Sequence, residues 1–241
     1  MIFMSGALRA QIELVPFDAL VTHETETLRN PWAGGFNAPQ FSQIDLNTDG
    51  KKDLVVFERD FYGSVKTFIN TGTNGEAIYD HVPKWQSAFP PMRNWMLLRD
   101  YNCDGLEDIF TSVPGGIKVY RNEGTSGGIS GFSLESSLLL TNGPDGAEPL
   151  YVAITDVPAI TDGDGDGDLD VLSFNIIGST LQFHKNLSME NYGNCKALEF
   201  ELANPCWGYF SEDGNNNTVG LFDTCDVDKP EKKAGILGHR R

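Results

Sequence analysis

The residues able to do chemistry in this sequence are concentrated in three short acidic segments. They start at Asp45 (DLNTDGKKD), Asp100 (DYNCDGLED) and Asp162 (DGDGDGDLD), and each follows the pattern Asp-x-Asn/Asp-x-Asp-Gly-x-x-Asp. Oxygen-bearing side chains on alternate residues of a tight turn converge on one cation, and calcium takes six to eight oxygens at about 2.3–2.6 Å. In the first loop the spacing assigns Asp45, Asn47, Asp49 and Asp53 as side-chain ligands, Gly50 as the turn residue and the Lys51 carbonyl as the seventh-position ligand. The second set is Asp100, Asn102, Asp104 and Asp108 with the Leu106 carbonyl. The third is Asp162, Asp164, Asp166 and Asp170 with the carbonyl of Asp168. A register starting at Asp164 would put Leu169 where the turn glycine belongs, so the Asp162 register is preferred.

A helix-flanked calcium loop closes with a bidentate Glu at its twelfth position. Here that position holds Val56, Thr111 and Ser173, and the closing carboxylate at the ninth runs directly into an apolar, β-type stretch. The expectation is therefore about three calcium ions held in loops between β-strands. Magnesium suits the pattern less, because it keeps its waters. Clusters of Asp, Asn and Gly also make ordinary turns without an ion, but three copies in register favour metal. Without a cation the loop carboxylates repel one another, so the inferred role of calcium is structural, its binding free energy contributing to folding. The third loop, with the most carboxylates, is expected to bind tightest.

The elements that must position these loops also repeat. Starts lie 55 and 62 residues apart, and each loop is followed by a strand, a turn and a second strand ending in Asn: Val65–Asn70, Ile117–Asn122 and Leu181–Asn186. The turns are Phe61–Gly63, Pro114–Gly116 and Ile177–Ser179. Apolar stretches at Phe41–Ile44, Trp95–Leu98 and Leu150–Ile154 read as strands entering the loops. Helical periodicity is weak throughout. A unit of this size with three or four antiparallel strands cannot bury both faces alone, so successive units should stack. Ile44, Leu54, Val56, Leu97, Ile109, Val171 and Leu172 are the expected core stripe.

Composition narrows the function classes. With 34 Asp and Glu against 18 Lys and Arg, the formal charge of −16 opposes nucleic acid and anionic membrane surfaces. No apolar run approaches the roughly 18 residues of a membrane helix, so no membrane insertion is expected. Residues 1–30 read as an N-terminal segment with a first strand, in which Ala10-Gln11 is either the junction of a signal peptide lacking its front or part of an ordinary chain start. The histidines His23, His81, His184 and His239 show no zinc spacing, and no nucleophile elbow, Walker loop or dinucleotide fingerprint is present. Asn186-Leu-Ser188 and Asn216-Asn-Thr218 match the glycosylation sequon.

Four cysteines, Cys103, Cys195, Cys206 and Cys225, allow three full pairings. Cys195 and Cys206 flank a strand-like Leu198–Leu202 and are the favoured pair, leaving Cys103 a tolerated side chain within the second loop. Trp207–Phe210 reads as a buried aromatic strand and Glu212–Asn217 as a mobile surface loop.

Loop and strand together resemble the FG-GAP/VCBS repeat family, the calcium-loop β-propeller blades also found in integrin α-subunit heads. The resemblance covers about residues 32–190, and Trp32–Asp60 is similar to the first repeat of secreted bacterial members, although the Phe-Gly and Gly-Ala-Pro signatures are poorly kept. It implies an all-β fold of propeller blades, with three repeats over 31–190, and calcium at positions 1, 3, 5, 7 and 9 of each loop. At this repeat length 241 residues supply about four units, short of the roughly seven blades such propellers close with. The expectation is 3–4 blades of an incomplete propeller, with 191–241 a partial further blade and cut end whose remaining blades belong to a longer chain. The alternative is a complete chain forming an open stack or pairing with another copy. The implied function is a non-enzymatic, secreted or cell-surface adhesion or binding scaffold for a protein or glycan ligand. The alternatives are an accessory propeller of a secreted carbohydrate-active enzyme, or a structural spacer.

Overall fold

The computed structural model describes residues 19–59, 63–73, 75–124, 127–214, 216, 218–222 and 225. The Ala10-Gln11 junction, Phe61 and Tyr62 of the first hairpin turn, and residues 226–241 of the expected cut end lie outside the described residues. The chain divides into two units, 1–35 and 36–241. The described part of the first holds one small hairpin, β1 (Thr22–His23) against β2 (Glu26–Thr27).

The second unit is all-β, built from several largely antiparallel sheets, none of them closed. Its first sheet is a four-stranded meander of β3 (Pro39–Ile44), β4 (Asp53–Glu58), β5 (Ser64–Asn70) and β6 (Tyr79–His81). The second is the same meander in β7 (Met96–Arg99), β8 (Asp108–Val113), β9 (Gly116–Asn122) and β10 (Phe132–Ser136). A hairpin of β11 (Leu140–Gly143) and β12 (Gly146–Pro149) comes next. A third meander follows, β13 (Ala159–Thr161), β14 (Asp170–Phe174), β15 (Leu181–Asn186) and, after the one-turn helix α1 (Ser188–Tyr192), β16 (Phe200–Asn204). β11 lies parallel to β16, extending this sheet to six strands. A last hairpin pairs β17 (Phe210–Glu212) with β18 (Val219–Leu221).

Each acidic loop joins the first strand of a meander to its second: β3 to β4, β7 to β8 and β13 to β14. The second strands are the largely buried ones of each sheet. In β8, Ile109 enters a core with Ile44, Val55, Phe57, Met96 and Leu98, while its neighbour Phe110 enters another with Trp95, Ile117, Val171 and Phe200. The second sheet is thus packed between the other two. Of the expected core stripe, Ile44, Val56, Ile109 and Val171 are buried, whereas Leu54, Leu97 and Leu172 are only half-buried.

Four expectations are corrected. Leu150–Ile154 is not a strand: the strand leading into the third loop is β13, ending at Thr161 directly before Asp162, and Leu150 and Val152 reach the core from irregular chain. Trp207 and Tyr209 are exposed, because residues 205–208 turn the chain before β17 begins at Phe210. Cys195 does not pair with Cys206: the extended strand β16 lies between them in the chain, and each is bonded to another cysteine. Cys103 is not a spare side chain: it is bonded to Cys195, and Cys206 to Cys225, with Cα separations of 6.0 and 5.7 Å. Two disulfides are consistent with an extracellular, oxidising environment. No helix among the described residues is long and apolar enough to cross a membrane.

Candidate metal centres

The three loops share one backbone course. Their sixth residues, Gly50, Gly105 and Gly167, have φ of 82°, 87° and 105°, and their fourth residues, Thr48, Cys103 and Gly165, have φ of 60°, 58° and 86°. A positive φ at a β-branched threonine is strained by about 1–3 kcal/mol. The surrounding loop holds it there through side-chain acceptors.

Those acceptors follow the ligand spacing. The first-position carboxylates receive the amides of the turn: Gly50 N–H donates to Asp45 Oδ2 at 2.8 Å, Gly105 to Asp100 Oδ2 at 2.8 Å, and Gly165 to Asp162 Oδ1 at 2.7 Å. Third-position oxygens accept from the fifth residue, Asp49 to Asn47 Oδ1 at 3.1 Å, Asp104 to Asn102 Oδ1 at 2.9 Å and Asp166 to Asp164 Oδ1 at 3.3 Å. Fifth-position carboxylates accept from the seventh residue, whose amides are those of Lys51, Leu106 and Asp168. Alternate side chains are in this way turned to the inside of each loop by its own backbone.

The closing carboxylates have a second task. Asp53, Asp108 and Asp170 are buried at 0, 0 and 1% exposure. One oxygen of each accepts the amide of the loop's second residue, from Leu46 at 2.8 Å, Tyr101 at 3.2 Å and Gly163 at 2.8 Å. The other accepts the amide of the Asn that ends the hairpin's second strand, Asn70 at 2.7 Å, Asn122 at 2.8 Å and Asn186 at 2.8 Å. Each closing Asp therefore fastens its loop to the hairpin. Burial pushes the carboxyl of Asp108 up to about 7 and raises those of Asp53 and Asp170, with the two amide hydrogen bonds opposing the shift in each case. The terminal Asn side chains continue the lattice: Asn70 and Asn122 donate to Lys52 O and Glu107 O, and Asn186 donates to Ala197 O. Asn186, 1% exposed, is a buried structural amide despite its sequon.

The third loop is the most acidic. Asp162, Asp164 and Asp166 bring carboxylate oxygens within 4.8 Å of one another, a cluster that can hold a metal ion. In the other two loops an Asn stands at the third position, so the same positions present two carboxylates and an amide. All these donors are oxygens, the set suited to a hard cation such as calcium rather than to zinc or copper. Asp170, held by its two amides, is not one of this carboxylate trio. Asp168, assigned a carbonyl role by spacing, also has a buried side chain, and its Oδ2 accepts the Met189 amide of α1 at 2.8 Å. Burial pushes this carboxyl up to about 6.

Two residues outside the pattern complete the surroundings. Lys185 Nζ donates to Asp164 Oδ2, ion-pairs with Glu190 Oε1 and stands 3.3 Å from Asp166 Oδ2. These contacts raise the lysine's pKa, the hydrogen bond to Asp164 first and that to Glu190 next, and lower that of Glu190. Neither residue carries a motif. Lys185 sits one place before the terminal Asn, and Glu190 is brought in by α1.

No protein-family model, curated protein or solved structure matches the chain.

Proposed function

We propose that this chain is a calcium-stabilised stack of β-propeller blades of the FG-GAP/VCBS type, part of a secreted or cell-surface protein that acts as an adhesion or binding scaffold rather than an enzyme. The observation that carries the reading is the threefold recurrence of one loop. Each copy has the same positive-φ positions, the same inward oxygens, and a buried closing Asp that bridges the loop to the Asn ending its hairpin. In this reading one calcium ion sits in each loop on Asp45, Asn47, Asp49 and Asp53 with the Lys51 carbonyl, and on the matching residues of the other two. It cancels the repulsion among carboxylates and locks the hairpin. The two disulfides support an extracellular setting. The ligand is a protein or glycan reached through exposed blade surfaces.

The test is calorimetric titration of chelator-stripped protein with calcium, paired with thermal melting with and without excess calcium. Binding at all three loops with a large rise in Tm supports the reading. A folded chain that binds no calcium reduces the loops to turns and overturns it.

A further inference from the structure

We infer that Asp166, Asp168 and Glu190 form a second divalent-cation site beside the third loop, and that the Lys185 ammonium is the internal cation a bound metal displaces. The site goes beyond the three loops, since Glu190 lies on α1, outside the nine-residue loop Asp162–Asp170, and Asp168 contributes its side chain. Carboxylate oxygens of these three residues lie within 4.8 Å of one another.

The independent sign of a ligand is an orphaned atom. Asp168 is 0% exposed; its Oδ2 is held by the Met189 amide, and its Oδ1 has no hydrogen-bond partner among the described residues. Asp166 Oδ2, in the same triad, is shielded from solvent and faces the Lys185 ammonium at 3.3 Å. An unpaired carboxylate oxygen in the interior is costly unless a cation meets it. Lys185 meets Asp164, Asp166 and Glu190 but not Asp168, so one ammonium leaves the deepest oxygen unserved. A divalent ion coordinated by several oxygens at once serves all three, with water completing its shell.

The segment bearing Glu190 is anchored for this task. Gly193, at φ 65°, ends α1; the Ser188 hydroxyl donates to Asn194 O and accepts the Ala197 amide; and Cys195 is bonded to Cys103. Glu190 itself is exposed, so replacing it leaves the core untouched.

The experiment is calorimetric titration of the full chelator-stripped chain with calcium chloride, comparing wild type with Glu190→Gln, Asp162→Asn and Lys185→Met. The wild type is expected to bind one ion more than Glu190→Gln, while Asp162→Asn weakens the loop ion and keeps the Glu190-dependent one. Lys185→Met, with no ammonium to displace, should bind the Glu190-dependent ion about tenfold more tightly, near 1.4 kcal/mol. Equal stoichiometry and affinities in wild type and Glu190→Gln would overturn the site even if all three loops bind calcium. An unchanged affinity in Lys185→Met would overturn the displacement. A Glu190-dependent ion in a chain whose loops bind none would sustain the site and refute the loop reading alone.

Discussion

Cys103, the fourth residue of the second acidic loop, is disulfide-bonded to Cys195, 92 residues further along and just past α1, with Cα atoms 6.0 Å apart. The bridge ties the second loop to the segment that carries Glu190 beside the third, and Cys103 Sγ lies 3.9 Å from Gly167 O. The second loop is thereby clamped covalently to the segment that flanks the third, as well as through the packing of their sheets.

Breaking that clamp should cost stability. The paired variant Cys103→Ser/Cys195→Ser is expected to lose about 3–5 kcal/mol, given the long loop the bridge closes. Urea unfolding of the variant against wild type, both in excess calcium, measures it. A loss below about 1 kcal/mol would show that the sheets alone hold the loops together.

The closing carboxylates should matter even without metal. In Asp53→Asn the new amide nitrogen cannot accept, so the amide of Leu46 or Asn70 loses its partner. The expected loss is about 1–3 kcal/mol in chelator. Asp45→Asn, at a half-buried first position, should lose less under the same conditions and show most of its effect in calcium. Equal losses for the two variants in chelator would contradict the bridging role.

Stability should depend on pH in a direction set by burial. The raised carboxyls of Asp108, about 7, and Asp168, about 6, with those of Asp53 and Asp170, bind protons more readily folded than unfolded, where 3.8 is usual. The stability such raised carboxyls contribute is full below the unfolded value and lost as pH rises through the folded value, about 7 for Asp108 and about 6 for Asp168. His184 opposes them: burial lowers it from 6.5 to about 4, so its contribution is present above 6.5 and lost as pH falls through about 4. Four carboxylates against one imidazole give a higher Tm at about pH 5 than at about pH 8 in chelator. Excess calcium, which favours the ionised carboxylates, should reverse the order. Melting at both pH values, with chelator and with calcium, checks both signs.

Gly128 is the close contact between the second sheet's outer connection and the first loop. Its φ is 118°, and a Cβ there would stand 2.5 Å from Leu46 O and 2.4 Å from the Trp85 ring, while the next residue, Ile129, donates its amide to Leu46 O at 3.1 Å. Gly128→Ala should therefore cost about 3 kcal/mol through strain and overpacking. A urea midpoint within error of wild type would show that the segment yields.

The loops and their hairpins were legible in the sequence because their determinants are local. Nine contiguous residues contain the oxygens and the turn glycine, the strand follows at once, and the terminal Asn recurs at a nearly constant offset, so the repetition could be read without knowing where the sheets lie. The third loop's leading strand was misplaced because Leu150 and Val152 are as apolar as strand residues but pack from irregular chain. The same ambiguity misread the aromatics at Trp207 and Tyr209, since aromatic character alone does not distinguish an exposed turn from a buried strand.

Only the tertiary structure decided what depends on contacts between segments far apart in the chain. Cys103 meets Cys195 because the second and third sheets pack together, and β11 joins β16 in parallel because the chain crosses from β12 to the far edge of the sheet at β13 and returns strand by strand to β16. Lys185 and Glu190 reach the third loop only after β15 and α1 have folded against it, and the buried side chain of Asp168 gains its meaning from the Met189 amide that faces it. Spacing along the chain encodes a ligand set within one turn. It carries no record of which distant charge will be folded against that turn, because that is set by the packing of whole sheets.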